Sequence, residues 1–436
     1  MGSNPFTRIY EIILNKLPGS KKFNTDVCWN LVSFGVVGAS GIVLNLSIAK
    51  FYGGEGLGVF NQVYAIFILF SQFAVAGIHH SVLTHIAQNQ DSQVTINEII
   101  STATLSCVFI SLVVIFILFS LREFFGTILD SILISKSIIF ILPGVLFFAL
   151  NKIYLALHNG YRNMKAYAIF QALRVFSLTI FLGILIVESV EMHMISIIFS
   201  LSESFLFIIL FVYSHKYIKI VLSKNSWFWI KKNLSFGMKA TLGNIFIDIN
   251  SRIDVLILGV FTSDRIVGIY SFAAIFADGF NQLAIVLRTN LNPILTKIHV
   301  REGKEALKEI VNAGKIIGYK IFIPLGIISV LLFPLMIYLL NLNANFNQSS
   351  LVFCILMVGS CLCAGYLPFK MILNQSGYPG FQTILNSSIF ILNILLNLLL
   401  IPHFGMFGAA IATAIAFSSQ IFTLKFLTYK AIGIQI

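Results

Sequence analysis

Apolar residues run through this chain in blocks of roughly twenty, separated by short polar or basic stretches, and a helix of about twenty residues matches the hydrocarbon thickness of a bilayer. Blocks near 28–49, 58–81, 98–120, 137–157, 167–188, 192–213, 235–261, 268–292, 313–340, 350–373, 380–401 and 407–429 predict about twelve membrane-spanning helices. Ahead of the first block, Ile9, Ile12, Ile13 and Leu17 recur at helical spacing among Arg8, Lys16, Lys21 and Lys22. That pattern predicts a short helix lying in the membrane interface. Residues 1–26 are polar and basic, and the first apolar run is too long and lacks the small-residue cleavage site of a secretory signal.

One block breaks the apolar rule. Between Leu234 and Phe261 it carries Asp248, Asn250, Arg252 and Asp254 near its centre. On one continuous helix, Asp248 and Arg252, and likewise Asn250 and Asp254, stand four apart and would stack into a polar stripe. A charge at that depth costs roughly 2.5–3.5 kcal/mol on insertion scales, so such a stripe faces a bundle interior or a water-filled path. Two readings stay open: lining for a polar pathway, or a neutralised Asp248–Arg252 pair that locks two helices.

Loop charges set an orientation. With the N-terminus inside, the cytoplasmic connections hold Arg162, Lys165, Lys216, Lys219, Lys224, Lys231, Lys232, Lys297, Arg301, Lys304, Lys308 and Lys430, besides the basic N-terminal tail. The opposite side holds Lys50, Arg122, Lys136 and Arg265. This bias predicts that both termini are cytoplasmic. The basic loop His215–Lys232 divides six blocks from six, giving a tail over 1–27, an N-lobe over 28–214, a linker over 215–233 and a C-lobe over 234–436. Each half opens alike, Leu31-Val32-Ser33-Phe34-Gly35 against Leu234-Ser235-Phe236-Gly237. Each then passes a short outer turn into Gly58-Val59-Phe60 or Gly268-Ile269-Tyr270. The match predicts a parallel internal repeat with a central site between the halves.

Composition agrees with a membrane protein: 58% of the residues are hydrophobic, 11% are charged, and mean hydropathy is +0.92. The net charge of +12 is accounted for by topology and attraction to the membrane surface. Nucleic-acid binding is not implied, since the basic loops carry no module that reads bases. The 42 phenylalanines are most simply lipid-facing bulk. Cys28, Cys107, Cys354, Cys361 and Cys363 sit in or beside apolar blocks without metal-ligand spacing, and are expected to be small buried hydrophobes. No Gly-Lys-Ser/Thr nucleotide loop, HExxH or GxSxG motif occurs. The longest outer loop, near Leu121–Lys136, is too short for a folded catalytic domain. The alternating charges of Lys297–Glu309 suit a solvated surface helix.

Several ionisable residues lie inside the apolar blocks. Arg174, Arg252, Arg288 and Lys320 outnumber the nearby acids on the inner side and suit a phosphate-bearing ligand, because a guanidinium stays charged and can grip phosphate oxygens bidentately. Asp254, Asp278, Asp248 and Glu203 are candidate coupling acids, since a buried carboxylate can exchange protonation for ion pairing. Lys152, Lys239, Lys315 and Lys370 are close enough to the inner face to snorkel. Tyr64, Tyr154, Tyr319 and Tyr366 could line a sugar path or a helix interface. Pro143-Gly144, Pro293, Pro324, Pro334 and Pro368 predict kinks.

Particular stretches resemble a known family. Ser251-Arg252-Ile253-Asp254 through Gly259, followed by Val267-Gly268-Ile269-Tyr270, resembles the seventh and eighth spans of polysaccharide flippases of the Wzx type. Asn374-Gln375-Ser376-Gly377, Asn393, Asn397 and the run from Ile401-Pro402 through Gly405, Gly408 and Thr413 resemble its C-terminal motif. Tyr52-Gly53-Gly54-Glu55-Gly56 resembles its first outer turn. The likeness covers essentially the whole chain and is looser toward multidrug exporters and peptidoglycan-precursor flippases of the same multidrug/oligosaccharidyl-lipid/polysaccharide superfamily. What the resemblance implies is an all-α membrane protein built as a V-shaped bundle of two six-helix lobes around a cationic lumen. Such a protein flips undecaprenyl-diphosphate-linked oligosaccharide, such as an O-antigen repeat unit, across a bacterial inner membrane, driven by an ion gradient. It performs no covalent chemistry and works beside a polymerase and a chain-length regulator. A cation-coupled multidrug exporter and a membrane O-antigen polymerase remain the alternatives.

Overall fold

The structure, a computed structural model, describes the backbone of residues 21–219, 221, 225–250, 252–342 and 344–436, and side chains from residue 35 onward apart from those of 239–249, 290, 293 and 294. Among the described residues all regular structure is helical. The helices are α1 (Lys21–Val75), α2 (Ile78–Gln88), α3 (Gln93–Ser120), α4 (Arg122–Ile128), α5 (Ile132–Gly160), α6 (Met164–Val187) and α7 (Ile197–Ser214). They continue with α8 (Ser226–Asn250), α9 (Ile253–Phe261), α10 (Asp264–Arg301), α11 (Gly303–Leu339), α12 (Asn347–Cys363), α13 (Ile372–Gln375) and α14 (Pro379–Ile432). The predicted interfacial helix lies outside the described residues.

The chain is a multi-pass membrane protein, and its apolar blocks reappear as helices. Nine described helices are long and apolar enough to cross a bilayer. Two of them fold back at a glycine. α1 breaks at Gly53 (φ 69°, ψ −168°), in the turn between the first two predicted runs, and α14 breaks at Gly405 (φ 54°, ψ −131°), three residues after Pro402. Only glycine adopts such angles without strain. Counting each half separately, and adding the charged pair α8–α9, gives the twelve runs that the hydrophobic blocks predict.

Several boundaries differ from the expectation. The second run ends at Val75, not near 81, because Ala76 (φ 46°) and Gly77 (φ 66°) turn left-handed before α2 begins. The tenth ends at Cys363 and continues as a short turn, Leu367–Phe369, and α13. Residues 297–309 form no separate surface helix. Instead α10 runs on to Arg301 and Gly303 (φ 86°) turns the chain into α11. At 1.5 Å per residue these helices of 38 and 37 residues are about 55 Å long, well beyond a hydrocarbon core of about 30 Å. The seventh run is also interrupted. α8 ends at Asn250 and α9 begins at Ile253, with Arg252 (φ −132°) between them, so the residues from Asp248 to Asp254 do not share one helical stripe.

The chain forms two compact units, one spanning Val32–Gly268 and one comprising Ile269–Ile436 with the residues up to Leu31. In the first, Pro143 kinks α5 and Ser200 of α7 fills the opening. The Ser200 hydroxyl accepts from Gly144 N–H (2.8 Å) and donates to the Phe140 carbonyl (2.6 Å), replacing the helical bond between those two backbone groups. The glycines of the two matched motifs meet in the same unit. A Cβ on Gly58 would fall 1.7 Å from the Asp264 carbonyl oxygen, and one on Gly268 would fall 1.8 Å from that of Gly54. Beside this contact the Asp264 carboxylate accepts hydrogen bonds from Gln62 and from Ser131, each 2.6 Å. In the second unit, Tyr366, Phe369, Ile372 and Leu373 pack with Leu307, Val311, Leu424 and Leu427. Phenylalanine is not only lipid-facing bulk, since Phe67, Phe148, Phe272, Phe322, Phe346 and Phe369 are among the largest fully buried side chains. Cys107, Cys354, Cys361 and Cys363 are free.

Candidate functional site

The interruption between α8 and α9 puts Arg252 at the N-terminal end of α9 rather than inside a helix. Its half-buried guanidinium lies over the ring of Tyr64, with Cζ 5.0 Å from the centroid. Tyr64 stacks on Phe199 (5.2 Å, 13°), and Phe199 stacks on Phe67 (5.1 Å). Phe67 meets Phe148 edge-on (5.7 Å), and the Arg174 guanidinium covers Phe148 at 4.2 Å. Two arginines far apart in sequence are thereby joined by one line of aromatic rings drawn from α1, α5 and α7. A planar, weakly hydrated guanidinium suits such stacking in a way that an ammonium does not.

The two ends of this line differ in charge balance. Arg174 is neutralised, since its Nε and Nη2 both reach Glu203 Oε1 at 2.5 Å. The other carboxylate oxygen accepts from Asn151 Nδ2 at 2.8 Å, and the same nitrogen donates to the Glu203 carbonyl at 2.9 Å. Ser177 and Ser202 donate to the Arg174 carbonyl at 2.8 and 2.9 Å. Glu203 is 4% exposed, so the pair is a desolvated clasp across α5, α6 and α7. A phosphate would have to displace a well-made partner to reach Arg174. Arg252, by contrast, has no carboxylate partner among the described residues, so its guanidinium retains capacity for an anion.

The remaining expected residues are spread between the units. Asp254 is 7% exposed in the first turn of α9, where its Oδ1 accepts from the Val255 N–H (2.9 Å) at the positive end of the helix. Asp278 is half-buried on α10, Lys320 is exposed on α11, and the side chain of Asp248 lies outside the described residues, as does that of Lys239. Arg288 is half-buried on α10 without a described carboxylate partner. Of the four tyrosines, Tyr154 is fully buried against Phe207 and Phe211 and serves a helix interface. Among the described residues, no cluster of His, Cys, Asp or Glu could hold a metal ion.

Sequence reasoning missed three features. It did not pair Arg174 with Glu203, which stand 29 residues apart on different helices. It gave no role to Asp264, which accepts from Gln62 and Ser131. It also gave no role to Lys425, which faces Tyr366. Only the third had a local signal, an isolated lysine in an otherwise apolar helix.

Comparison with known proteins places this geometry in a family context. A family model described as "Polysaccharide biosynthesis protein" matches residues 25–299. A search of the curated proteins finds no match. Among solved structures, the chain is similar to the lipid II flippase MurJ in an inward closed conformation, at TM-score 0.74 and 17% identity, over 92% of this chain and 86% of that one. It is similar to an inward-facing multidrug resistance MATE family transporter of the MOP superfamily, at TM-score 0.74 and 12% identity, over 98% of each chain. It is also similar to a MOP superfamily transporter from Pyrococcus furiosus described by the reverse polarity of its binding pocket, at TM-score 0.62 and 11% identity, over 93% of this chain and 96% of that one. At these identities the likeness establishes the fold, which is that of the MOP superfamily transporters.

Proposed function

This chain belongs to the polysaccharide biosynthesis protein family, and from that premise we propose that it flips an undecaprenyl-diphosphate-linked oligosaccharide, such as an O-antigen repeat unit, from the cytoplasmic to the periplasmic leaflet of a bacterial inner membrane. The observation that carries the reading is Arg252. It is a guanidinium at a break between two membrane helices, stacked on Tyr64 and unpaired by any described acid. A diphosphate presented there would gain a charge-assisted contact, and the tyrosine ring beside it offers a face on which a sugar can pack. In the second unit Arg288 likewise has no carboxylate partner among the described residues, while Lys320, exposed on α11, fits a role in attracting the ligand. Arg174 enters the reading as the far anchor of the aromatic line rather than as a phosphate ligand.

Direction would come from alternating access coupled to an ion gradient. Asp254 and Asp278 are the coupling candidates, because Glu203 already serves Arg174 and Asn151. The lobes would be 28–214 and 234–436, with both termini cytoplasmic and a polymerase and chain-length regulator as pathway partners. The fold is shared with a multidrug transporter, which supports a second reading as a cation-coupled drug exporter. The two diverge in a deletion strain. The flippase reading expects undecaprenyl-linked repeat units to accumulate on the inner leaflet and surface glycan to disappear, both restored by the gene. Normal glycan delivery, with lowered drug tolerance in its place, would overturn it.

A further inference from the structure

The second unit also holds lysines that the glycan reading does not use. Lys315 of α11 points its ammonium at Tyr366, 3.4 Å from the phenol oxygen and 5.1 Å from the ring centroid. Lys425 of α14 brings a second ammonium to 5.4 Å from the same centroid. The two positive charges are therefore no further apart than those two distances laid end to end. Tyr366 itself is 5% exposed and fixed on its inner side by the cluster that holds Phe369, Ile372, Leu424 and Leu427.

Snorkelling explains a single lysine near an interface. It does not explain why two should converge on one ring from different helices. Like charges brought together in a low-dielectric surrounding repel strongly. A tyrosine ring and one phenol oxygen offset only part of that. Among the described residues, no carboxylate pairs with Lys315 or Lys425, which leaves both ammonium groups with capacity for an anion. Lys425 is exposed and Lys315 is half-buried, which leaves both ammonium groups within reach of a ligand. The surroundings also fix the geometry. Gly318 lets α11 approach Gly365 backbone to backbone, and Tyr319 donates to the Leu362 carbonyl at 2.8 Å, so the segment carrying Tyr366 is held against the helix carrying Lys315.

We propose that Lys315 and Lys425, converging on Tyr366 from two helices, form an oxyanion site inside the C-terminal unit that takes a phosphate group. A tetrahedral phosphate fits because its several oxygens can accept from ammonium groups arriving from different helices, whereas a monatomic anion would leave most donors unused. The site stands whether or not the chain carries a lipid-linked glycan. The same chemistry is offered by a lipid headgroup phosphate and by free phosphate.

The test uses the purified full-length protein in nanodiscs of neutral phosphatidylcholine, titrated with inorganic phosphate and pyrophosphate and read by thermal unfolding. A parallel arm replaces a third of the lipid by phosphatidylglycerol. Stabilisation by phosphate in neutral discs identifies a soluble oxyanion. Stabilisation only in anionic discs identifies a headgroup. In either arm the Lys315→Gln/Lys425→Gln variant should lose at least about tenfold in apparent affinity, as expected for two charge-assisted contacts. Lys297→Gln, exposed near the end of α10, should bind as the wild type does. Tyr366→Phe retains the ring and should lose only a few-fold, which keeps the test informative if the double variant fails to fold. Equal binding by the wild type and the double variant, or no stabilisation in any arm, would overturn the proposal. Loss of glycan export in cells would not bear on it, so it fails separately from the flippase reading.

Discussion

Arginines 174 and 252 present the same side chain in two electrostatic settings. Arg174 is committed to Glu203, so removing it alone strands a carboxylate that is 4% exposed. Arg174→Met should therefore cost about 3–5 kcal/mol of stability, while Arg174→Met combined with Glu203→Gln should regain most of it, as measured by thermal unfolding of the purified variants. Equal losses in the single and double variants would show that the pair contributes nothing beyond packing. Arg252 has no carboxylate partner among the described residues, and its loss should be felt in export rather than in folding. Arg252→Ala and Arg288→Ala should each reduce surface glycan about tenfold or more at unchanged protein level, the scale of one lost charge-assisted contact. Arg252→Lys, which preserves charge without the planar stack on Tyr64, should fall between. Unchanged glycan in both alanine variants would return those arginines to a structural role. None of this distinction is legible in the sequence, because both arginines sit alike in apolar blocks, and burial beside a carboxylate is a property of helices brought together from far along the chain.

The helices were legible because lipid-exposed backbone must satisfy its hydrogen bonds within the segment, so every crossing leaves a long apolar run. Their interruptions were not. Neither the left-handed Ala76–Gly77 step nor the break after Asn250 alters hydropathy, and a period count cannot detect a joint whose flanks are equally apolar. Glycine spacing carried more information than the hydrophobic pattern did. Gly58 and Gly268, noted as matched motif positions, lie at one backbone crossing. Gly58→Ala should consequently abolish accumulation of the folded protein, since its Cβ would meet a carbonyl oxygen at 1.7 Å, whereas Gly183→Ala, with nothing within 4 Å, should accumulate normally. Membrane-fraction levels of the two variants decide the matter, and comparable levels would mean that α1 and α10 can separate at little cost.

At the scale of the whole molecule, loop charge predicts an orientation, and labelling at two turns tests it. Ser263, between α9 and α10, and Lys304, at the start of α11, are both exposed and lie at opposite ends of α10. In a variant with the described free cysteines removed, Ser263→Cys should react with an impermeant maleimide from the periplasmic side, and Lys304→Cys only after the cytoplasmic side is opened. The reverse pattern would invert the topology and with it the direction of transport. The crossing of Gly58 with Asp264 and of Gly268 with Gly54 also bears on inheritance. In each case the atom that forbids a side chain is a main-chain carbonyl oxygen, which every residue type carries. A selection for second-site suppressors of Gly58→Ala has no compensating codon to find at position 264, and Gly268→Ala has none at position 54. Both glycines are thus fixed by what the genetic code cannot vary.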